Sequence, residues 1–248
     1  MSLNPVAFVF VDGMGASAFP FLPTLRQAFE ARLCLRFLIS AALPTWSLPN
    51  YATVIVGQNP SEHGILSNFD RRPLVRGHLF DKINEEGGSV AVSGYYWWDI
   101  LAGQSISHAK WYEREDTEDL WVFEQAWSMA NNHHPDLLLI HPMGVDMAGH
   151  IHGGRSPEYA ARVLEIDHHL NTFLTRWLTK FPTGSVLVGG DHGMGPFGHG
   201  GSTPEEVEVY YYLFGSREIF FEPSQQRHIR RMLEQLLGIS EDLPTGTD

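Results

Sequence analysis

Three short stretches, far apart in the chain, carry acid, hydroxyl and imidazole side chains in settings suited to metal chemistry. The first is Val9-Phe10-Val11-Asp12-Gly13-Met14-Gly15. The second is Pro44-Thr45-Trp46-Ser47-Leu48-Pro49-Asn50. The third is a pair: Asp146-Met147-Ala148-Gly149-His150, then Asp191-His192-Gly193-Met194 with His199 just beyond. Asp12, Ser47, Asp146, His150, Asp191, His192 and His199 together offer seven oxygen and nitrogen donors. Two clustered divalent cations activate an alkoxide and stabilise its leaving group in one step, so Ser47 reads as a nucleophile beside two metal ions. Asp146 and His150, four residues apart, can reach one ion from a single helical turn. Carboxylates and imidazoles without thiolates suit zinc, with manganese or iron as alternatives.

Such residues need elements to hold them. Residues 6–11 are an almost continuous apolar run ending in Asp12-Gly13, the pattern of a buried parallel strand with Asp12 at its carboxyl end. A helix is expected over residues 22–32, a second strand over 35–42, and a helix behind Ser47 over 50–56 that Gly57-Gln58-Asn59-Pro60 would end. Further strands are expected at 89–93, 136–141, 185–188 and 207–214. The clearest helix spans 156–181, with Ser156 as N-cap, Pro157 at the first helical position and Glu158 in the first turn. Val163, Ile166, Leu170, Phe173, Leu174, Trp177 and Leu178 recur along it at helical spacing. Strands alternating with helices imply an α/β fold, a three-layer sandwich with a mostly parallel central sheet. In such sheets, sites form beyond the carboxyl ends of the strands, where Asp12, Asp146 and Asp191 all fall. Residues 1–248 read as a single domain with a variable, less regular segment at about 67–134, and the polar tail after Ile239 is expected to fray.

Composition limits the choices further. The chain carries 17 basic and 29 acidic residues, a formal net charge of −12, which disfavours duplex nucleic acid and anionic membranes as partners. The single cysteine, Cys34, has no internal partner and sits in an apolar run, so a disulfide scaffold is excluded and a small core residue is expected. The opening Met1-Ser2-Leu3-Asn4-Pro5 has no basic segment, and no stretch approaches the ~20 apolar residues of a membrane span. A soluble cytoplasmic protein is the expectation.

The longest motif, Pro44-Thr45-Trp46-Ser47-Leu48-Pro49-Asn50-Tyr51, continues to Gly57-Gln58-Asn59-Pro60-Ser61-Glu62-His63-Gly64-Ile65. This stretch, with the Asp12, Asp146 and Asp191 motifs in the same order, resembles the alkaline phosphatase superfamily. Within it, the chain looks most like the type I phosphodiesterase/nucleotide pyrophosphatase branch, from about Val6 to about Thr203. Ser47 stands where that branch usually has threonine; the phosphatase branches use serine there. The resemblance implies that Asp12, Ser47, Asp191 and His192 hold one divalent ion and Asp146, His150 and His199 the other. It also implies a phospho-Ser47 intermediate, with the Asn50 amide donating to a phosphoryl oxygen. The implied activity is hydrolysis of a small phosphate ester, with nucleotide derivatives among the candidates, as a phosphodiesterase or pyrophosphatase.

Rivals exist. A phosphomonoesterase would use the same site with an arginine added, for which Arg71, Arg72 and Arg155 are the candidates. A sulfatase is disfavoured because Tyr51 stands where that branch needs arginine, and a phosphomutase because the chain has no room for a large cap. A non-catalytic metal-bearing module should lack a ligand or the nucleophile, and all seven positions are filled. His63 reads as a loop residue, His152 as exposed or adjacent to the site, and His168 and His169 as surface or packing residues. His141 ends a strand near the site and is a candidate for substrate contact. Tyr95-Tyr96-Trp97-Trp98 could stack a planar leaving group, although adjacent aromatics more often fill a core.

Overall fold

The computed structural model describes residues 3–215 and 219–239. In chain order, the elements begin with β1 (Val6–Val11), a 3-10 turn (Ala16–Phe21), α1 (Pro23–Glu30), β2 (Leu35–Ser40), α2 (Ser47–Val56) and α3 (Pro60–His63). They continue with α4 (Leu79–Glu85), β3 (Val90–Tyr95), α5 (Trp97–Ala102), a second 3-10 turn (Gly103–Ser105), β4 (His108–Tyr112), α6 (Asp119–His133) and β5 (Leu137–Ile140). Last come α7 (Gly144–His152), α8 (Pro157–Lys180), β6 (Ser185–Gly190), α9 (Pro204–Val207), β7 (Glu208–Gly215) and α10 (His228–Leu237).

Among the described residues, the strands form one seven-stranded sheet in the order β2-β7-β6-β1-β5-β3-β4. β1 pairs in parallel with β5 on one side and β6 on the other, and β3 pairs in parallel with β5 and β4. Only β7 runs against its neighbours, β6 and β2. β1 lies at the centre with all six residues buried, which is why it reads as an unbroken apolar run. Helices flank the sheet. α1, α6, α7 and α8 pack among themselves, while α2, α4, α5 and α10 pack together around a second set of contacts. Phe10 of β1 points to the α2 side, with ring centroids 5.9 Å from Tyr51 and 6.1 Å from Trp98. The α/β fold expected from the pattern is therefore present, and the sheet is mixed at one edge.

α8 matches its sequence signals closely. Ser156 accepts a hydrogen bond from the backbone N–H of Tyr159 at 3.0 Å, Pro157 opens the helix, and Val163, Ile166, Leu170, Phe173, Leu174 and Trp177 are buried. α8 also orders its neighbour: the Asp167 carboxylate accepts from Thr24 N–H at 2.9 Å, capping the first turn of α1. No helix among the described residues is long and apolar enough to cross a membrane. Cys34 is buried, as expected.

The segment at 67–134 departs from its expected irregularity. It supplies β3, β4, α4, α5 and α6, so it builds one side of the sheet. β4 is an edge strand of mixed polarity, His108-Ala109-Lys110-Trp111-Tyr112, only one of whose residues is buried, and such a strand gives little alternation to read. Tyr95, Trp97 and Trp98 are core residues, with Trp98 stacked on Tyr51 at 4.9 Å, so they are unavailable to a planar leaving group. α10 also went unmarked, and the tail after Ile239 lies outside the described residues.

Candidate active site

Three neighbouring strands, β5, β1 and β6, bring the acids together. Asp12 follows the last residue of β1, Asp191 follows β6, and α7, entered directly after β5, carries Asp146 and His150 one turn apart. Gly13 lets the chain turn away from Asp12: its φ is +71°, and a Cβ there would come within 2.8 Å of the Asp146 backbone. Ser47 is the first residue of α2, so the nucleophile candidate stands at a helix N-terminus.

The structure gathers all seven expected donors into two adjoining groups. Asp12, Asp191 and His192 form one, fully buried; Asp146, His150 and His199 form the other. Ser47 belongs to the first, its Oγ lying 3.3 Å from His192 Nε2. The His192 and His199 rings stack with centroids 3.7 Å apart, so the groups share a wall. His150 is exposed and marks the open side.

Backbone contacts fix the imidazoles. His192 Nδ1 faces the Gly193 carbonyl at 3.0 Å, and His199 Nδ1 faces the Thr45 carbonyl at 2.6 Å. Donation from each Nδ1 leaves Nε2 as a lone pair, the arrangement typical of metal-binding histidine. His192 Nε2 then meets Asp191 at 3.1 Å, and His199 Nε2 meets His150 Nε2 at 3.1 Å and Asp146 at 3.4 Å. Gly13 and His192 each donate a backbone N–H to Asp191 Oδ1, at 2.9 and 2.8 Å. One oxygen of each aspartate, Asp12 Oδ1, Asp146 Oδ1 and Asp191 Oδ2, is buried without a hydrogen-bond partner. Orphaned carboxylate oxygens facing imidazole lone pairs, with no thiolate nearby, fit divalent cations of the zinc type.

The electrostatics agree. Three buried carboxylates this close cannot all ionise cheaply. Burial raises Asp146 to about 6, with the Asp12 charge adding to it, and Asp191 is raised for the same reasons. Burial also works against Asp12, but His141 and His192 pull it down to about 2. His192 is pushed up to about 10, because Asp191 and Asp12 outweigh the burial that would lower it. A pocket that draws positive charge so strongly is suited to cations.

Not every expected residue reaches this centre. Asn50 is fully buried, and its amide donates to the carbonyls of Ala42 at 3.2 Å and Trp46 at 3.0 Å while its Oδ1 accepts from Ala42 N–H at 2.8 Å. It clamps the loop before Ser47 and offers the site no donor. A residue that the sequence motifs did not single out, Asn68, lies next to this loop. Its Oδ1 accepts from the N–H of Leu48, the residue after Ser47, at 2.9 Å. No sequence signal pointed to it, since Asn68 lies 21 positions from Ser47 in an irregular loop. His141 proves fully buried behind Asp12 rather than facing substrate. His63 ties Thr53 (3.1 Å) to the Ile65 N–H (3.2 Å), the loop role expected. His152 and His168 are exposed, and His169 is buried. Of the three candidate arginines, Arg72 binds Gly64 O and Arg155 binds Glu205, while Arg71 binds Asn68 O and the Tyr96 hydroxyl.

Residues 6–205 match the family described as type I phosphodiesterase / nucleotide pyrophosphatase. Among curated proteins, the chain is 27% identical over 183 residues to the human GPI ethanolamine phosphate transferase 3 catalytic subunit, covering 71% of this chain and 16% of that protein. It is 27% identical over 224 residues to an uncharacterized pyrophosphatase/phosphodiesterase of Schizosaccharomyces pombe, covering 78% of this chain and 45% of the other. The chain thus spans about a sixth of the transferase subunit's length. Among solved structures, murine ectonucleotide pyrophosphatase/phosphodiesterase 5, an inactive form in complex with AMP, matches at a TM-score of 0.78 and 12% identity over 99% of this chain and 97% of that one. The C-terminal periplasmic domain of EptC from Escherichia coli, in complex with Zn, matches at 0.74 and 12% identity over 98% of this chain and 84% of that one. At these identities the structural likenesses establish a shared fold.

Proposed function

This chain belongs to the type I phosphodiesterase/nucleotide pyrophosphatase family, and on that premise we propose that it is a two-metal phosphodiesterase working through Ser47. The observation that carries the reading is the position of the Ser47 hydroxyl, at the N-terminus of α2 and 3.3 Å from His192, in the first of two adjoining groups of metal-type donors. Asp12, Ser47, Asp191 and His192 would hold one cation and Asp146, His150 and His199 the other. Bound there, the two cations supply activation of the serine hydroxyl and stabilisation of the leaving oxygen.

The chain's own groups do the rest. Ser47 Oγ forms a bond to phosphorus as the bond to the departing alcohol oxygen breaks. Water then attacks the phosphorus, the Oγ–P bond breaks, and a phosphate monoester leaves with Ser47 restored. The N-terminus of α2 directs its positive end at the phosphoryl group. Asn68 takes the role expected of Asn50, its amide donating to a phosphoryl oxygen. The engagement of Arg72 with Gly64 O and of Arg155 with Glu205 supports a diester over a monoester, because a monoester's extra charge calls for a cation near those oxygens.

The substrate class is a small soluble phosphodiester, with nucleotide-like compounds supported by the AMP bound to a structural neighbour. Transfer to an alcohol in place of water is the second reading, favoured by the names of several relatives. The test is turnover of bis-nitrophenyl phosphate beside nitrophenyl phosphate, before and after chelation, with zinc or manganese restored and an alcohol acceptor added. Metal-restored preference for the diester is the expected result. Preference for the monoester would reassign the substrate, and a phosphorylated alcohol among the products would favour transfer.

A further inference from the structure

Asp12 presents its two oxygens to different surroundings. Oδ1 lies 3.5 Å from His192 Nε2 and has no hydrogen-bond partner. Oδ2 accepts a hydrogen bond from the Tyr51 phenol and lies 3.5 Å from His141 Nε2, an ion-pair contact outside hydrogen-bond geometry. All three side chains are fully buried. Packing alone does not call for these polar atoms, since phenylalanine at 51 would fill the same space against Trp98. A buried polar group is costly when unpaired and rigidifies its surroundings when satisfied.

The connections run through the elements that carry the chemistry. Tyr51 stands four residues after Ser47 on α2, so the two side chains share one face of the helix. His141 directly follows β5, its ring meets Tyr51 edge-on at 4.6 Å, and its backbone carbonyl accepts from the Tyr112 hydroxyl at 2.6 Å. Asp12 Oδ2 is therefore the point where the nucleophile's helix and the end of β5 are tied to the end of β1.

We propose that Tyr51 and His141 are positioning residues that grip Oδ2 of Asp12, so that Oδ1 is aimed at the cation site and that site is held in register with Ser47. This rests on the two-metal reading above. Partners of metal-bound carboxylates govern metal affinity, typically by about ten- to a hundredfold.

The test titrates the full chain, stripped by chelation, with Co2+ and follows visible absorption as each site fills. Asp191→Ala and His199→Ala serve as references for the separate sites. In Tyr51→Phe, the Asp12–Asp191–His192 site should lose about ten- to a hundredfold in Co2+ affinity, while the Asp146–His150–His199 site keeps its affinity. His141→Gln, which retains a donor near the Nε2 position, should hold Co2+ better than His141→Leu. Thermal unfolding of the chelated proteins checks that each variant folds. If His141→Leu does not, Tyr51→Phe carries the test, because the ring packing survives in it. Equal weakening of both sites, or of neither, overturns the proposal. A wild-type chain that takes up no Co2+ overturns the two-metal reading instead.

Discussion

Ser47 and Asp191 sit in the same buried group yet should fail differently when removed. Ser47→Ala deletes the nucleophile and leaves the acids and imidazoles in place, so turnover of a diester should fall at least ~100-fold with the metal content unchanged. Near-normal activity in that variant would refute the nucleophile assignment. Asp191→Ala removes a carboxylate that holds both Gly13 N–H and His192 N–H, and elemental analysis should then find one metal per chain. Two metals per chain would contradict the ligand set. Asn68→Ala should cost about 2.7–4 kcal/mol of barrier in kcat, with metal content preserved, whereas Asn50→Ala should act mainly on stability. The seven donors were legible because each follows a strand end or sits in a short motif. The engagement of Asn50 was not, because a sequence does not reveal that the loop's own carbonyls will use up its amide.

The elements that were easiest to read are those buried on both faces. β1, β5 and β6 are continuous apolar runs, and α8 carries a cap, an opening proline and a regular apolar stripe. β4, at the sheet edge, lacked that contrast. α10 did carry the signal, with Ile229, Met232, Leu233, Leu236 and Leu237 at helical spacing and all buried. At this scale Asp119 deserves a measurement. It begins α6, is almost fully buried, and accepts the backbone N–H of Gly144 at the start of α7 at 3.1 Å. Burial raises its pKa from 3.8 to about 6. The folded chain therefore binds this proton more tightly than the unfolded chain. The resulting stabilisation is fully present below about pH 3.8 and lost as pH rises through about 6. In Asp119→Asn, urea unfolding should show a shallower loss of stability between about pH 4 and pH 6. A slope equal to the wild type's would show that the carboxyl is not perturbed.

Across the whole molecule, folding concentrates negative charge at one end of the sheet. Removing bound divalent ions should thus lower the unfolding temperature, and adding them back should raise it in a concentration-dependent way. An unfolding temperature indifferent to chelator and zinc would argue against resident cations. On the two-metal reading, the stabilisation should shrink to the share of the Asp146–His150–His199 group in Asp12→Asn combined with Asp191→Asn.

The order β5-β1-β6 has a consequence for how such a site can change over time. Adjacent strands are spaced about 4.8 Å apart by their backbone hydrogen bonds, and this spacing keeps Asp12 at the end of β1 and Asp191 at the end of β6 within reach of one another. The ruler for the site is the sheet itself, which no side-chain exchange can stretch. Loops at its mouth, such as the one bearing the fully exposed Phe197, can be lengthened, recharged or replaced without altering that spacing. One reaction geometry can therefore be handed on intact while the compounds admitted to it are rewritten from the rim.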